Sequence, residues 1–97
     1  MIEVVKTAAF RRWLDGLRDA RAFAKVTTRI MRMRDGNFGD VRPVGKGVSE
    51  MRIDYGPGYR VYFVQRGSAL VILLGGGTKG GQSRDIAAAK RLASELE

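Results

Sequence analysis

One stretch of the sequence decides the fold: Met51-Arg-Ile-Asp-Tyr-Gly-Pro-Gly-Tyr-Arg-Val-Tyr-Phe63. Apolar and polar residues alternate on either side of a Gly-Pro-Gly turn, which is the pattern of a β-hairpin. Pairing Tyr55 with Tyr59 sets Asp54 opposite Arg60, and opposed residues share a face. The predicted core face carries Met51, Ile53, Val61 and Phe63. The predicted polar face carries Glu50, Arg52, Asp54, Arg60 and Tyr62. A slip by one residue would mix these sets, so the hydrophobic pattern supports the register.

Two arginines and a tyrosine therefore lie close together on the predicted polar face. The planar guanidinium group of arginine offers several donors in an arrangement that suits a phosphate. A simpler interpretation is a cross-strand ion pair between Asp54 and Arg60 on a solvated face. Both interpretations fit the hairpin sequence.

The remaining elements follow from periodicity and capping residues. A β-branched run at residues 2–5 predicts a first strand, and Thr7 caps a helix that ends near Leu17. A second helix begins at Asp19 and ends at residues 35–37. Its predicted apolar face comprises Ala20, Phe23, Ala24, Thr27, Ile30 and Met31. The glycines and proline of residues 38–47 predict a loop. Strands follow at 48–55, 59–66 and 69–74, the last as the central strand, and Ser83 caps a last helix with Asp85 in its first turn.

These elements predict a single α+β domain over residues 1–97. Its order is β-α-α-β-β-β-α, a small and mostly antiparallel sheet with two amino-terminal helices and one carboxyl-terminal helix packed on it. Residues 75–80 match the spacing of a dinucleotide-binding loop, but no strand follows the last helix, so that function is excluded. A flexible basic turn that projects Lys79 is predicted instead.

Composition limits the chemistry. The chain has 97 residues, a net charge of +8, no cysteine and no histidine. These counts exclude a disulfide framework and a histidine base, and they predict no metal site and no small-molecule cofactor. No segment approaches the ~20 apolar residues of a membrane span, and no signal peptide is recognised. We therefore expect a cytoplasmic protein whose positive charge attracts a polyanion.

The second helix carries a basic stripe, which could either follow a phosphate backbone or form a solvated helix face. The stripe comprises Arg18, Arg21, Lys25, Arg29 and Arg32. Candidate RNA-binding residues are Arg21, Lys25, Arg29, Arg32 and Lys46.

Three segments together resemble the RelE/ParE toxin superfamily, and within it the HigB-like addiction module killer proteins. They are Gly58-Tyr-Arg-Val-Tyr-Phe63, the strand Val71 to Leu74, and Gly76-Gly-Thr-Lys-Gly-Gly-Gln82 with Asp85 and Ile86. The resemblance covers nearly the whole chain. It implies a type II toxin–antitoxin system, with a toxin held inactive by an antitoxin that is usually a helix-turn-helix protein. Many such toxins cleave mRNA in the ribosomal A site.

The resemblance implies a metal-independent endoribonuclease that inhibits translation. Arg60 and Arg52 match basic positions that contact the RNA backbone, and Lys79 matches a basic position after the last strand. Gln82 and Asp85 match positions expected to order the turn and the helix. Many members also place a tyrosine or histidine near the carboxyl terminus, whereas nothing aromatic follows Phe63 in this chain.

Tyr62 or Lys79 is therefore the predicted acid or base, and the candidate catalytic set is Arg60, Arg52, Lys79 and Tyr62. The alternative is a ParE-like inhibitor of DNA gyrase, which acts by binding a protein and needs no acid or base. A nucleic-acid-binding module without toxicity is a third interpretation.

Overall fold

The computed structural model describes residues 1–96 of the chain, and its elements follow the predicted α+β order with one added strand. The strands are β1 (Glu3–Lys6), β2 (Val41–Gly45), β3 (Val48–Ile53), β4 (Tyr59–Arg66) and β5 (Leu70–Thr78). The helices are α1 (Ala8–Asp15), α2 (Ala20–Arg34) and α3 (Gln82–Glu95), and a short 3₁₀ helix (Lys79–Gly81) precedes α3.

The five strands form one mixed sheet in the order β1-β5-β4-β3-β2. The pair β1–β5 is parallel, and the other three pairs are antiparallel. The middle strand is β4. Strand β5, predicted to be a central strand covered on both faces, lies next to it inside the sheet, with α1 on one face and α3 on the other. Strand β2 lies within residues 38–47, where a loop was predicted. Strand β2 lies at the edge of the sheet, and its pairing with β3 shifts between Pro43 and Gly45. Sheets accept proline at edge strands, and they accept glycine at such irregularities.

The helix boundaries depend on side-chain caps at two of the three amino termini. The hydroxyl of Thr7 accepts a hydrogen bond from the Phe10 N–H, and the Asp19 carboxylate accepts bonds from the N–H groups of Arg21 and Ala22. The cap at Thr7 was predicted, and the second helix was predicted to begin at Asp19. The predicted cap at Ser83 was wrong, because α3 already begins at Gln82 and Gly81 precedes it without a side-chain bond.

The buried face of α2 differs from the prediction. The helix buries Ala22, Val26, Ile30 and Met33, whereas Phe23 and Met31 are exposed. Two apolar stripes run side by side along this helix, and periodicity alone does not rank them. The stripe that contains the β-branched Val26 and the long Met33 fills the space above the sheet, and this stripe is the buried one.

The hairpin register is shifted by two residues from the prediction. Ile53 faces Tyr59 and Arg52 faces Arg60, so the connecting turn is wider and includes Gly56 and Gly58, both with positive φ. A shift by an even number leaves every residue on its predicted face. The core set Met51, Ile53, Val61 and Phe63 is accordingly buried, in one cluster with residues of α1 and α2.

The opposite face of the hairpin is not solvated throughout, because α3 covers part of it. A second core cluster contains Val48, Tyr62, Val64, Leu74, Ala89 and Ala93. Tyr62 and Glu50 are therefore fully buried. The expectation of an exposed polar face was wrong for these two residues and for Arg60, which is also buried. It holds for Asp54, and Arg52 is partly exposed.

The glycines at 75–77 belong to β5, so the predicted flexible turn was wrong. A Cβ on Gly76 would overlap the indole of Trp13, and one on Gly77 would overlap the carboxylate of Asp85. The two glycines thus let α1 and α3 approach the backbone of β5 closely on its two faces. The run is rich in glycine because neighbouring side chains occupy the space, and not because the backbone must turn.

We expect Gly76→Ala to lower the free energy of unfolding by about 1–3 kcal/mol, because overpacking a filled core costs about this much. Urea denaturation followed by the fluorescence of Trp13, the single tryptophan of the chain, measures the change. Gly75→Ala is the matched control, since a Cβ there meets no atom within 4 Å. Equal stability of the two variants would contradict the packing described.

Candidate anion-binding site

A cleft of about 390 Å³ opens at the turn between β3 and β4. We call it the hairpin cleft. It is lined by Asp40, Arg52, Ile53, Asp54, Gly56, Pro57, Gly58, Arg60 and Lys79. Three of the four residues predicted to be catalytic, Arg52, Arg60 and Lys79, thus lie around one opening. Asp54 also lines it, but the ion pair between Asp54 and Arg60 that the hairpin sequence allowed is not formed within residues 1–96, where Arg60 pairs with Glu50 instead.

Arg60 is held rigidly, since only 9% of its surface is exposed. Its Nη1 donates a hydrogen bond of 3.2 Å to the Tyr59 carbonyl. Its Nε lies 3.7 Å from Oε1 of Glu50. The guanidinium also packs under the turn, where a Cβ on Gly58 would lie 3.3 Å from Nη1. The orientation of Arg60 at the cleft is therefore fixed by the fold.

Glu50 is the buried counter-charge of Arg60, with no exposed surface. Its Oε2 accepts a hydrogen bond of 2.6 Å from the Gln82 side chain, and its Oε1 lies 3.5 Å from Nε of Arg42. A buried carboxylate needs such partners, because desolvation of an unpaired charge is costly. Sequence reasoning missed this role, although strand alternation placed Glu50 on the same face as Arg60. The expectation that Gln82 orders the end of β5 fits its contact with Glu50.

Arg52 already has an anionic partner. Its Nε and Nη2 donate hydrogen bonds of 3.2 and 3.0 Å to the two carboxylate oxygens of Asp40. This hydrogen-bonded pairing lowers the pKa of Asp40 and raises the pKa of Arg52. The pair stabilises the folded chain above the ordinary carboxyl pKa of about 3.9 and loses this effect as the pH falls through the folded-state pKa. Any ligand anion must compete with Asp40 for Arg52.

Lys79 is exposed and follows β5 directly. Its backbone N–H donates a hydrogen bond of 2.8 Å to the Gly58 carbonyl. This bond ties the end of β5 to the hairpin turn and places Lys79 beside Arg60. The end of β5 and the β3–β4 turn thus place Lys79, Arg52 and Arg60 around the same cleft.

Tyr62 does not reach the cleft. Its hydroxyl is buried and, within residues 1–96, makes no hydrogen bond, and the same holds for Glu50 Oε1 and Arg60 Nε. Burial, and then the negative charges of Glu50 and Asp85, raise the pKa of Tyr62 far above its ordinary range. Both features argue against Tyr62 as a proton donor to a ligand in the hairpin cleft.

The basic stripe of α2 reaches a neighbouring cleft of about 380 Å³, which we call the α2 cleft. It is lined by Ala24, Lys25, Thr28, Arg29, Arg32, Ile53 and Asp54. It shares Ile53 and Asp54 with the hairpin cleft.

Two basic side chains of the α2 cleft have partners within the protein. Lys25 Nζ lies 5.3 Å from the ring centroid of Tyr55, a cation–π contact. Burial lowers the pKa of Arg29, whose Nη1 donates a 2.7 Å hydrogen bond to the Arg52 carbonyl. Of the predicted RNA-binding residues, Arg21 lines neither cleft, and Lys46 lies at the other end of β3.

Two further observations concern residues 1–96. No three carboxylates, histidines or cysteines there are grouped closely enough to hold a metal ion. No helix there is long and apolar enough to cross a membrane.

The fold and the hairpin cleft define a small basic α+β protein with an opening lined by arginine and lysine. No model of a known protein family matches the chain. An uncharacterized protein of Haemophilus influenzae is 50% identical to it over 95 residues, which cover 98% of this chain and 96% of that protein. The chain belongs to the same family as this Haemophilus influenzae protein.

We expect Asp40→Asn to increase the affinity of the hairpin cleft for inorganic phosphate about fivefold. Removing one unit charge at about 4 Å in water has an effect of this size, and the guanidinium of Arg52 becomes available. A phosphate titration monitored by NMR measures the affinity. Asp35→Asn, at the exposed end of α2, removes the same charge outside the cleft. Equal effects of the two variants would contradict a specific competition by Asp40.

We expect Tyr62→Phe to leave the free energy of unfolding unchanged or to raise it by up to about 1 kcal/mol. The reason is that a buried hydroxyl without a partner costs desolvation energy. Phosphate affinity should also be unchanged. Chemical denaturation and the same titration test both points. A loss of stability above about 1 kcal/mol would instead mean that the hydroxyl donates a hydrogen bond to Glu50.

Proposed function

We propose that this protein binds RNA in the hairpin cleft and cleaves it there, as the toxin of a type II toxin–antitoxin system. The observation that carries the proposal is the guanidinium of Arg60, fixed by the buried Glu50 and flanked by Arg52 and Lys79. The resemblance to the RelE/ParE superfamily supports the same conclusion and makes mRNA on the ribosome the expected substrate.

The charge distribution supports RNA as the ligand. Arginine binds phosphate oxygens through parallel hydrogen bonds, and a net charge of +8 attracts a polyanion at long range. The α2 cleft continues the hairpin cleft with Lys25, Arg29 and Arg32, so several successive phosphates would be contacted. Tyr55 lies beside this path, with Lys25 over its ring.

The proposed reaction uses the 2′-hydroxyl of the RNA as the nucleophile. The 2′-oxygen bonds to phosphorus, the bond from phosphorus to the 5′-oxygen of the next nucleotide breaks, and a 2′,3′-cyclic phosphate results. Arg60, with Arg52 once Asp40 is displaced, stabilises the negative charge of the transition state. Asp54 accepts the proton of the 2′-hydroxyl, and Lys79 donates a proton to the 5′-oxygen. The ribosome supplies the alignment of the reacting atoms.

A second candidate function is inhibition of DNA gyrase by binding alone. The burial of Tyr62 favours it, because one of the two predicted proton-transfer residues is withdrawn from the cleft. The pairing of Arg52 with Asp40 favours it as well. A toxin of this kind would use the same cationic surface to contact a protein.

The proposal includes a partner and a compartment. The partner is a cognate antitoxin, expected to be a helix-turn-helix protein, whose acidic segment would cover the cationic clefts and release them on degradation. The site of action is the cytoplasm, where translated mRNA is found.

We expect Lys79→Ala and Asp54→Asn each to reduce RNA cleavage about 100-fold, the usual effect of removing a general acid or base. The measurement is a genome-wide map of RNA 5′ ends after induction in a bacterium. Both side chains are exposed, so these variants should fold. Arg84→Ala is the control, because Arg84 is exposed on α3 and does not line the cleft.

New 5′ ends within translated codons, lost in both variants and kept in Arg84→Ala, would support the nuclease. Growth arrest with intact messages and damaged DNA would instead support the gyrase inhibitor. Growth without arrest in the presence of folded protein would contradict the toxin proposal.

A further inference from the structure

A third cationic cleft, of about 370 Å³, lies at the far end of the sheet from the hairpin cleft. We call it the distal cleft. It is lined by Lys46, Gly47, Val64, Gln65, Arg66, Lys90, Ala93 and Ser94. Lys46 lies before the beginning of β3, and the hairpin cleft lies at the end of β3, so the length of this strand separates the two clefts. Strand β3 has six residues, and at about 3.3 Å per residue the separation is about 20 Å.

Lys46 occupies a backbone conformation that lysine disfavours. Its φ is +55°, and among residues 1–96 it is the only residue other than glycine with a positive φ. It forms the turn between β2 and β3 with Gly47, whose φ is +77°. Two-residue hairpin turns with positive φ at both positions favour asparagine, aspartate or glycine. A lysine here carries strain, and such strain marks positions where the side chain has a function.

Lys90 brings a second ammonium group to the same turn. Its Nζ packs against Gly45, where a Cβ would lie only 3.0 Å away. Neither Lys46 nor Lys90 forms an ion pair with any residue of the described part of the chain. Arg66 also lines the cleft. The ammonium groups of Lys46 and Lys90 repel each other, and a bound anion would remove that repulsion.

The lining indicates the class of ligand. Among the described residues, no aspartate or glutamate lines the distal cleft, whereas the Gln65 amide offers uncharged hydrogen-bond donors. The Ser94 hydroxyl donates its proton to the Arg91 carbonyl at 2.7 Å and can only accept from a ligand. The large apolar side chain of the lining, Val64, is buried, so the cleft offers no exposed anchor for a protein partner. Point cations with an amide donor suit phosphate oxygens.

We propose that the distal cleft is a second phosphate-binding site, which holds the RNA backbone at a distance from the segment bound in the hairpin cleft. The identity of the polymer rests on the proposed function. The hairpin cleft includes Lys79, three residues before α3 begins, and the distal cleft includes Lys90, Ala93 and Ser94 from the second half of that helix. One RNA chain that follows α3 would contact both.

The first test compares the salt dependence of RNA binding in the full chain. The probe is a fluorescein-labelled single-stranded uridylate 20-mer. The variant Lys46→Asn/Lys90→Gln should reduce the slope of log K against log salt by about 1.4, because each phosphate contact with single strands contributes about 0.7. The control, Lys6→Gln/Arg91→Gln, removes the same charge outside both clefts and should change the slope by less than half as much. Equal changes would overturn the proposal.

The second test uses Lys46→Asn alone, for which stability and binding should move in opposite directions. Asparagine tolerates the positive φ, so the Tm should rise by about 4 °C, the effect of relieving modest strain in a domain of this size. The affinity for the 20-mer should fall severalfold. An unchanged affinity would overturn the site, and a lower Tm would assign Lys46 a structural role and also overturn it.

These measurements are independent of RNA cleavage. If the induced protein leaves messages intact but the salt slope depends on Lys46 and Lys90, the distal cleft stands and the nuclease proposal fails. If cleavage depends on Lys79 while the cleft variant and its control behave alike, the nuclease stands and the distal cleft fails.

Discussion

The buried carboxylate of Glu50 is the constraint on which the rest of the structure depends. It contacts Arg42 of β2, Arg60 of β4 and Gln82 at the beginning of α3, so one side chain fixes three elements around β3. Buried ion pairs add little net stability, but removing one partner leaves an uncompensated charge and costs about 3–5 kcal/mol. Glu50 therefore determines how β2, β4 and α3 are arranged around β3 more than it adds to the free energy of unfolding. The consequence at the surface is a guanidinium with a fixed direction.

Close packing at β5 also fixes the position of two helices against the sheet. Gly76 and Gly77 admit the indole of Trp13 and the carboxylate of Asp85 to the strand backbone. The two helices that carry these side chains thus lie close to the sheet on opposite faces. A domain of 97 residues buries a smaller fraction of the surface of its unfolded chain than a larger domain does. Close contacts between helix and sheet are therefore important for its stability. They also bring the end of β5, and Lys79 with it, to the hairpin turn.

Alternation along the hairpin predicted the core face correctly, because a register error of two residues moves no side chain through the sheet. Local patterns also located the cap at Thr7 and the beginning of α2 at Asp19. They did not reveal that α3 covers Tyr62 and Glu50, since that depends on how α3 returns over the sheet. They did not reveal Asp40 either, which reaches Arg52 from a segment interpreted as a loop. The cations of the site were thus readable from the sequence, and their partners were not.

Those partners explain how a cationic cleft remains stable without a ligand. Asp40 occupies Arg52, and its side chain is 57% exposed, so the pair lies largely in water, where ion pairs are weak. A phosphate that replaces this carboxylate exchanges one anion for another at the same guanidinium, and the free-energy difference is small. Arg60 is different, because its counter-charge is buried and cannot be displaced. The hairpin cleft therefore combines a permanent cation with an exchangeable one, an arrangement that favours reversible binding of a polyanion over a tightly held structural ion.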